Sequence, residues 1–330
     1  MMGRPGGLET LKSRCNSSRS LSHSGSYHIL DIEIDRGFEP CDSGMCHTVQ
    51  GDIPLYKYSE VPHFLQGNPY VVHGYRVLLP FNLCVKSLFI WSNETLNIWS
   101  HLAGLFIFIY LLLYDNIIVI PANNGSLADH VIITLGIFCF QFCMACSAGF
   151  HIFCCHSERA SQRWLAVDLT GISMGIIGCY LPAVHYAFYC LSIWRDLYLI
   201  IIFVLTGATL FIQLNPNFLK PSWARHRLLI YVGLVAYGVV PTIHWFVENG
   251  GWESRVVQLF VPKVIVVYLL GMLAFFFYIS KFPERLFPGM FDYVGSSHQL
   301  WHVVILVTFL WWHQAGNEIL LFRTSHECEA

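Results

Sequence analysis

Three histidines, an aspartate and a serine carry the chemistry that this sequence offers. Ser147 and His151 are four residues apart, as are His298 and His302. A helix puts residues at that spacing on one face. Asp168 follows the first pair at the start of the next apolar run. Three neutral imidazoles with one position left open describe a catalytic zinc site. The fourth ligand of such a site is a water whose pKa falls toward about 7. In that reading His151, His298 and His302 bind Zn2+. Asp168 orients the water or takes its proton, and Ser147 hydrogen-bonds the water or a substrate carbonyl.

Two plainer readings compete. The same side chains serve as interhelical packing glue in many membrane bundles. A Ser147–His151–Asp168 hydrolase triad leaves His298 and His302 unused and lacks a glycine-flanked nucleophile elbow. His156 is a competing ligand that falls outside the apolar run. Glu94, Asn97 and His101 form a second constellation, spaced three and four residues apart on one helix face. Capping and a bond to a neighbouring helix are the roles expected there.

The elements that must hold these groups are membrane helices. Charged residues are 12% of the 330 and hydrophobic residues 55%, against roughly 25% charged in a soluble domain. Mean hydropathy is +0.52. Net charge is −2, which gives no footing for nucleic-acid binding. Seven apolar runs, at roughly 97–120, 130–152, 166–188, 197–214, 226–247, 256–280 and 299–322, are each long enough to cross about 30 Å of hydrocarbon. The fold class expected is an all-α bundle of seven transmembrane helices. Pro182, Pro241 and Pro262 fall inside the runs, which bundled membrane helices tolerate.

Loop cations set the orientation. Arg76, Lys86, Arg159, Arg163, Lys220, Arg225, Arg227, Lys281 and Arg285 lie on one side, with only Arg195, Arg255 and Arg323 on the other. The N-terminus is therefore expected in the cytosol and the C-terminus in the lumen or outside. His151, Asp168, His298 and His302 then share the cytosolic end of three spans. His313, roughly 16 Å beyond His302 along its helix, belongs to the other leaflet.

Residues 1–52 are rich in Ser, Gly and Arg and read as a disordered cytosolic tail. They contain no apolar signal-peptide core. Residues 53–96 form a membrane-proximal segment, 97–322 the membrane domain and 323–330 a short lumenal tail. Among twelve cysteines no spacing resembles a zinc knuckle. Cys139, Cys143, Cys146, Cys179 and Cys190 read as small packing residues, while Cys154 and Cys155, just past a span, are candidate S-acylation sites.

Glu94-Thr-Leu-Asn-Ile-Trp-Ser-His101, Ser147-x-x-x-His151, Asp168-Leu-Thr-Gly171 and His298-x-x-x-His302 resemble the signature motifs of the progestin and adipoQ receptor family. His73-Gly-Tyr-Arg76 belongs to the same pattern. The resemblance runs from about Tyr56 to Phe322. It implies a seven-helix bundle with zinc on His151, His298 and His302, and with Asp168 and Ser147 at the zinc-bound water. In adiponectin-receptor relatives that site is linked to hydrolysis of ceramide amides.

Other stretches, such as Tyr278-Ile-Ser-Lys-x-Pro-Glu-Arg and Gly295-Ser-Ser-His-Gln, are similar to a Golgi-resident branch of the family. That likeness implies a multi-pass Golgi membrane protein whose cytosolic N-terminal region tethers a Raf-type kinase and dampens MAPK signalling. The alternative it implies is a zinc-dependent, ceramidase-like hydrolase of a lipid amide. A steroid or adipokine receptor is less well supported, because the lumenal loops are short.

Overall fold

The computed structural model describes residues 48–326, apart from Gly51 and Pro216. Most of the expected 1–52 tail, and the end of the 323–330 tail, lie outside the described residues.

The apolar runs are all helical. A first span combines α2 (Thr95–Tyr114), a π-helical turn at Asp115–Val119 and α3 (Ile120–Ala122), after a short pre-span helix α1 (Phe81–Lys86). Then come α4 (Leu127–Phe153), α5 (Glu158–Ala187), α6 (Ser192–Gln213), α7 (Ala224–Tyr237), α8 (Val239–Glu248), α9 (Arg255–Ser280) and α10 (Ser297–Ser325). Six segments are long and apolar enough to cross a membrane, with α7 and α8 forming one of them. The seventh, α10, is long enough at 29 residues. Its hydropathy is diluted by His298, His302, His313, Asn317 and Glu318, the polar groups that it turns inward.

Helix starts follow capping chemistry. Ser126 and Asp129 form a reciprocal capping box on α4, and Ser157 accepts from the Ala160 N–H at the start of α5. Gln299 bonds back to the Ser296 N–H to open α10. The α5 start differs from expectation. The helix begins at Glu158, well before residue 166, because Ser157 caps it there. Asp168 therefore sits in its third turn, roughly 15 Å along the axis, and not in its first.

The fifth span breaks at Gly238, between α7 and α8. Pro241 cannot donate to the carbonyl one turn back. Gly238 bonds to Val235, and the Leu234 carbonyl it leaves is taken by the Tyr180 hydroxyl at 2.8 Å. A side chain at Gly238 would meet the Tyr180 and Tyr268 hydroxyls within 2.7 Å.

The α4–α5 seam is built from small residues, which let membrane helices approach closely. A Cβ at Gly171 would lie 2.9 Å from the Cys146 Cβ, and one at Gly178 only 2.8 Å from that of Cys139. The cysteines of α4 are packing residues, as their type and position suggested. Cys190 is different, being disulfide-bonded. Cys154 and Cys155 are buried, so neither presents the surface thiol that S-acylation needs. Phe140 stacks on Phe309 at 4.3 Å and Phe108 packs beside both, giving the bundle a solid floor.

The approach to the first span closes one end of the bundle. Strands β1 (Thr48–Gln50) and β2 (Ile53–Leu55) pair antiparallel, and Tyr56 bridges to Tyr75. Two buried carboxylates from the α9–α10 connection clamp this segment. Asp292 accepts from the backbone N–H groups of Val72 and His73 and from the His73 ring, all within 2.9 Å. Glu284 accepts from Asn68 and Ser297.

Candidate metal centre

His151 lies in the last turn of α4, while His298 and His302 occupy the first two turns of α10. Their Nε2 atoms converge. His298 Nε2 is 3.4 Å from His151 Nε2 and 3.2 Å from His302 Nε2. One ligand atom from each lies within 4.8 Å of the others, the only such group among the described residues. Tetrahedral zinc with Zn–N bonds of about 2.05 Å separates its ligand nitrogens by about 3.3 Å. The donor set and its spacing fit that ion.

The ring of His151 is oriented from behind. Its Nδ1 donates to Glu94 Oε2 at 2.8 Å, and Asn97 donates to the same oxygen at 2.6 Å. This fixes the tautomer and leaves the Nε2 lone pair facing the other imidazoles, as carboxylate partners of metal-bound histidines do. Burial pushes the Glu94 carboxyl up. His151, Arg76 and the Asn97 hydrogen bond outweigh it and hold the carboxyl down at about 2. Arg76, itself buried, donates to the His151 carbonyl at 2.6 Å and to Ser87.

Asp168 and Ser147 are neighbours deeper in the bundle. Ser147 is near enough to Asp168 to influence its charge, and the carboxylate lies within electrostatic reach of His151. Asp168 is not in the converging ligand set. The hydrolase triad is not assembled, because His151 Nδ1 is committed to Glu94 and not to Asp168. His156 is turned away from the cluster and donates to the Leu79 carbonyl at 2.8 Å.

His101 comes close without joining the ligands. Its ring stacks on that of His302 at 3.9 Å and 22°. Stacked rings point their in-plane lone pairs along parallel lines, so the two do not share one ion. His101 buttresses His302. Glu94 was visible in the sequence as part of a helix face, but its partner on α4 was not. Only a tertiary contact reveals that the carboxylate serves a ligand.

A second polar cluster lies at the opposite end of the bundle. Asp115, fully buried at the π-turn, accepts from His313 at 2.6 Å and from Asn317 at 3.2 Å. This separates His313 from the metal centre.

The family described as Haemolysin-III related matches residues 89–313, which include every residue of the converging cluster. The chain belongs to that family. Within it, the progestin and adipoQ receptor branch supplies strong matches. Human "Progestin and adipoQ receptor family member 3" is 50% identical over 92% of this chain and 93% of its own length. "Heptahelical transmembrane protein 1" of Arabidopsis thaliana is 33% identical over 83% of each chain. The Drosophila melanogaster "Adiponectin receptor protein" is 30% identical over 91% of this chain and 69% of its own. The haemolysin-III-related helical bundle is thus the frame that brings α2, α4, α5 and α10 together around the histidines.

Proposed function

We propose that this haemolysin-III-related protein is a zinc-dependent hydrolase of a lipid amide of the ceramide type. The observation that carries the reading is the mutual spacing of the His151, His298 and His302 Nε2 atoms, 3.2 and 3.4 Å through His298. Zinc supplies Lewis acidity and lowers the pKa of a water. Asp168 accepts the proton that the attacking water loses. Ser147 donates to the substrate carbonyl. Glu94 keeps His151 in one tautomer. A lipid substrate suits a site at membrane depth, where the amide enters from the bilayer.

Orientation belongs to the same proposal. The N-terminus and the metal centre face the cytosol, supported by the loop cations. The disulfide-bonded Cys190, on the α5–α6 turn at the other end, suits an oxidising compartment.

A second reading is compatible with the first. The chain is a Golgi membrane protein whose cytosolic N-terminal region tethers a Raf-type kinase and restrains MAPK signalling. What supports it is the likeness of Tyr278-Ile-Ser-Lys-x-Pro-Glu-Arg and Gly295-Ser-Ser-His-Gln to the Golgi-resident branch of the family.

Metal analysis of the purified protein, paired with a ceramide hydrolysis assay, tests the enzyme reading. About one zinc per chain and released sphingosine are expected, both lost in His302→Ala. Protein that purifies folded without zinc, or hydrolysis that survives His302→Ala, overturns it.

A further inference from the structure

Cys84 and Cys155 form a contact that neither the metal centre nor helix packing explains. Cys84 sits on α1 and Cys155 just beyond α4, 71 residues later. Their sulfurs are 3.7 Å apart, and both side chains are buried, with 0% and 1% exposed.

Backbone contacts hold the two segments in register. The Leu79 N–H donates to the Cys155 carbonyl at 3.2 Å. The Leu79 carbonyl in turn accepts from His156. Ile53 and Leu79 complete the apolar pocket around the pair. Among the described residues no third His, Asp or Glu joins them as a metal set. Paired thiols without a third ligand point to redox chemistry.

We propose that Cys84 and Cys155 form a reversible disulfide that ties α1 to the end of α4. A disulfide needs its sulfurs about 2.05 Å apart, so side-chain rotation must close a gap of under 2 Å. The hydrogen bond from Cys84 pulls the Cys155 thiol below the usual range, and the Arg76 guanidinium adds to that pull against the effect of burial. Cys155 is therefore the attacking thiolate.

With hydrogen peroxide as oxidant, the Cys155 sulfur attacks one peroxide oxygen. The O–O bond breaks, water leaves, and Cys155 becomes a sulfenic acid. The Cys84 sulfur then attacks the Cys155 sulfur. The S–S bond forms, and the S–O bond breaks with release of a second water that carries off the Cys84 proton. Two thiols lose two electrons, and the peroxide is reduced to two waters. A small dithiol such as dithiothreitol reverses the step by exchange.

The bond would lie beside Arg76, which holds the His151 carbonyl. Oxidation thus restrains the segment that closes the metal end of the bundle.

The test uses the full-length protein in detergent, first reduced, then exposed to hydrogen peroxide, alkylated and digested without reductant. The expected result is a joined peptide pair carrying Cys84 and Cys155, two hydrogens lighter than the free peptides, in most molecules. Dithiothreitol should restore both thiols. In Cys84→Ser, Cys155 should end as a sulfenic or higher acid with no crosslink. Recovery of both wild-type cysteines as alkylated thiols would overturn the proposal. So would sulfinic or sulfonic acids alone, or Cys155 joined to another cysteine. The wild-type peptide map decides the matter even if the variant does not fold.

Discussion

The Nδ1 of His151 lies 2.8 Å from Oε2 of Glu94, a contact between α4 and the cap residue of α2. One end of the imidazole is thereby fixed while the other faces His298 and His302. Removing such a partner typically costs 10- to 100-fold in metal affinity. Glu94→Ala should fold and lose zinc affinity by about that factor, measured by competition with a chromogenic chelator. Unchanged affinity would mean that the carboxylate only packs.

Asp168→Asn separates binding from turnover. Asp168 stands outside the three converging nitrogens, so zinc content should stay near wild type. Loss of a proton acceptor costs about 10²- to 10⁴-fold, and ceramide hydrolysis should fall by that amount. His298→Ala should lose metal and activity together. Zinc loss in Asp168→Asn equal to that in His298→Ala would make Asp168 a ligand instead.

Tethering and catalysis should be separable in cells. Deleting residues 1–90 is expected to abolish recruitment of a Raf-type kinase to Golgi membranes. His298→Ala and His302→Ala should leave recruitment unchanged. Imaging of tagged kinase reads both, and recruitment that survives the deletion removes the tether assignment.

Asp292→Ala should loosen the cover over the metal end. The carboxylate satisfies two backbone N–H groups and the His73 ring. Each buried donor left unpaired costs about 1–3 kcal/mol. A lower Tm and faster proteolysis within residues 56–75 are expected, while the transmembrane helices stay protected.

Gly178→Ala and Gly207→Ala form a matched pair. At Gly178 the new methyl would lie 2.8 Å from the Cys139 Cβ and 3.0 Å from the Gly136 carbonyl. Overpacking of this kind costs about 1–3 kcal/mol. At Gly207 nothing lies within 4 Å, so the higher helix propensity of alanine should raise stability slightly or leave it unchanged. Tm in one detergent compares them. Equal behaviour would mean that the α4–α5 seam is looser than these distances indicate.

Composition and the lengths of the apolar runs determined that this chain is a bundle of membrane helices. The helical period alone placed Ser147 with His151 and His298 with His302, because residues four apart share a face whatever surrounds them. The type of the α4 cysteines and their place among small residues also foretold close packing. Other relationships required the tertiary structure. Asp168 entered the third turn of α5 because Ser157 starts the helix early. Glu94 found His151, His101 stacked on His302 instead of joining the ligands, and Cys84 met Cys155. The physical reason is that local sequence sets which side chains share a helix face. The height and rotation of one helix against the next come from packing at seams such as Gly171–Cys146 and Gly178–Cys139. Those contacts pair residues far apart in the chain, and no local spacing encodes them.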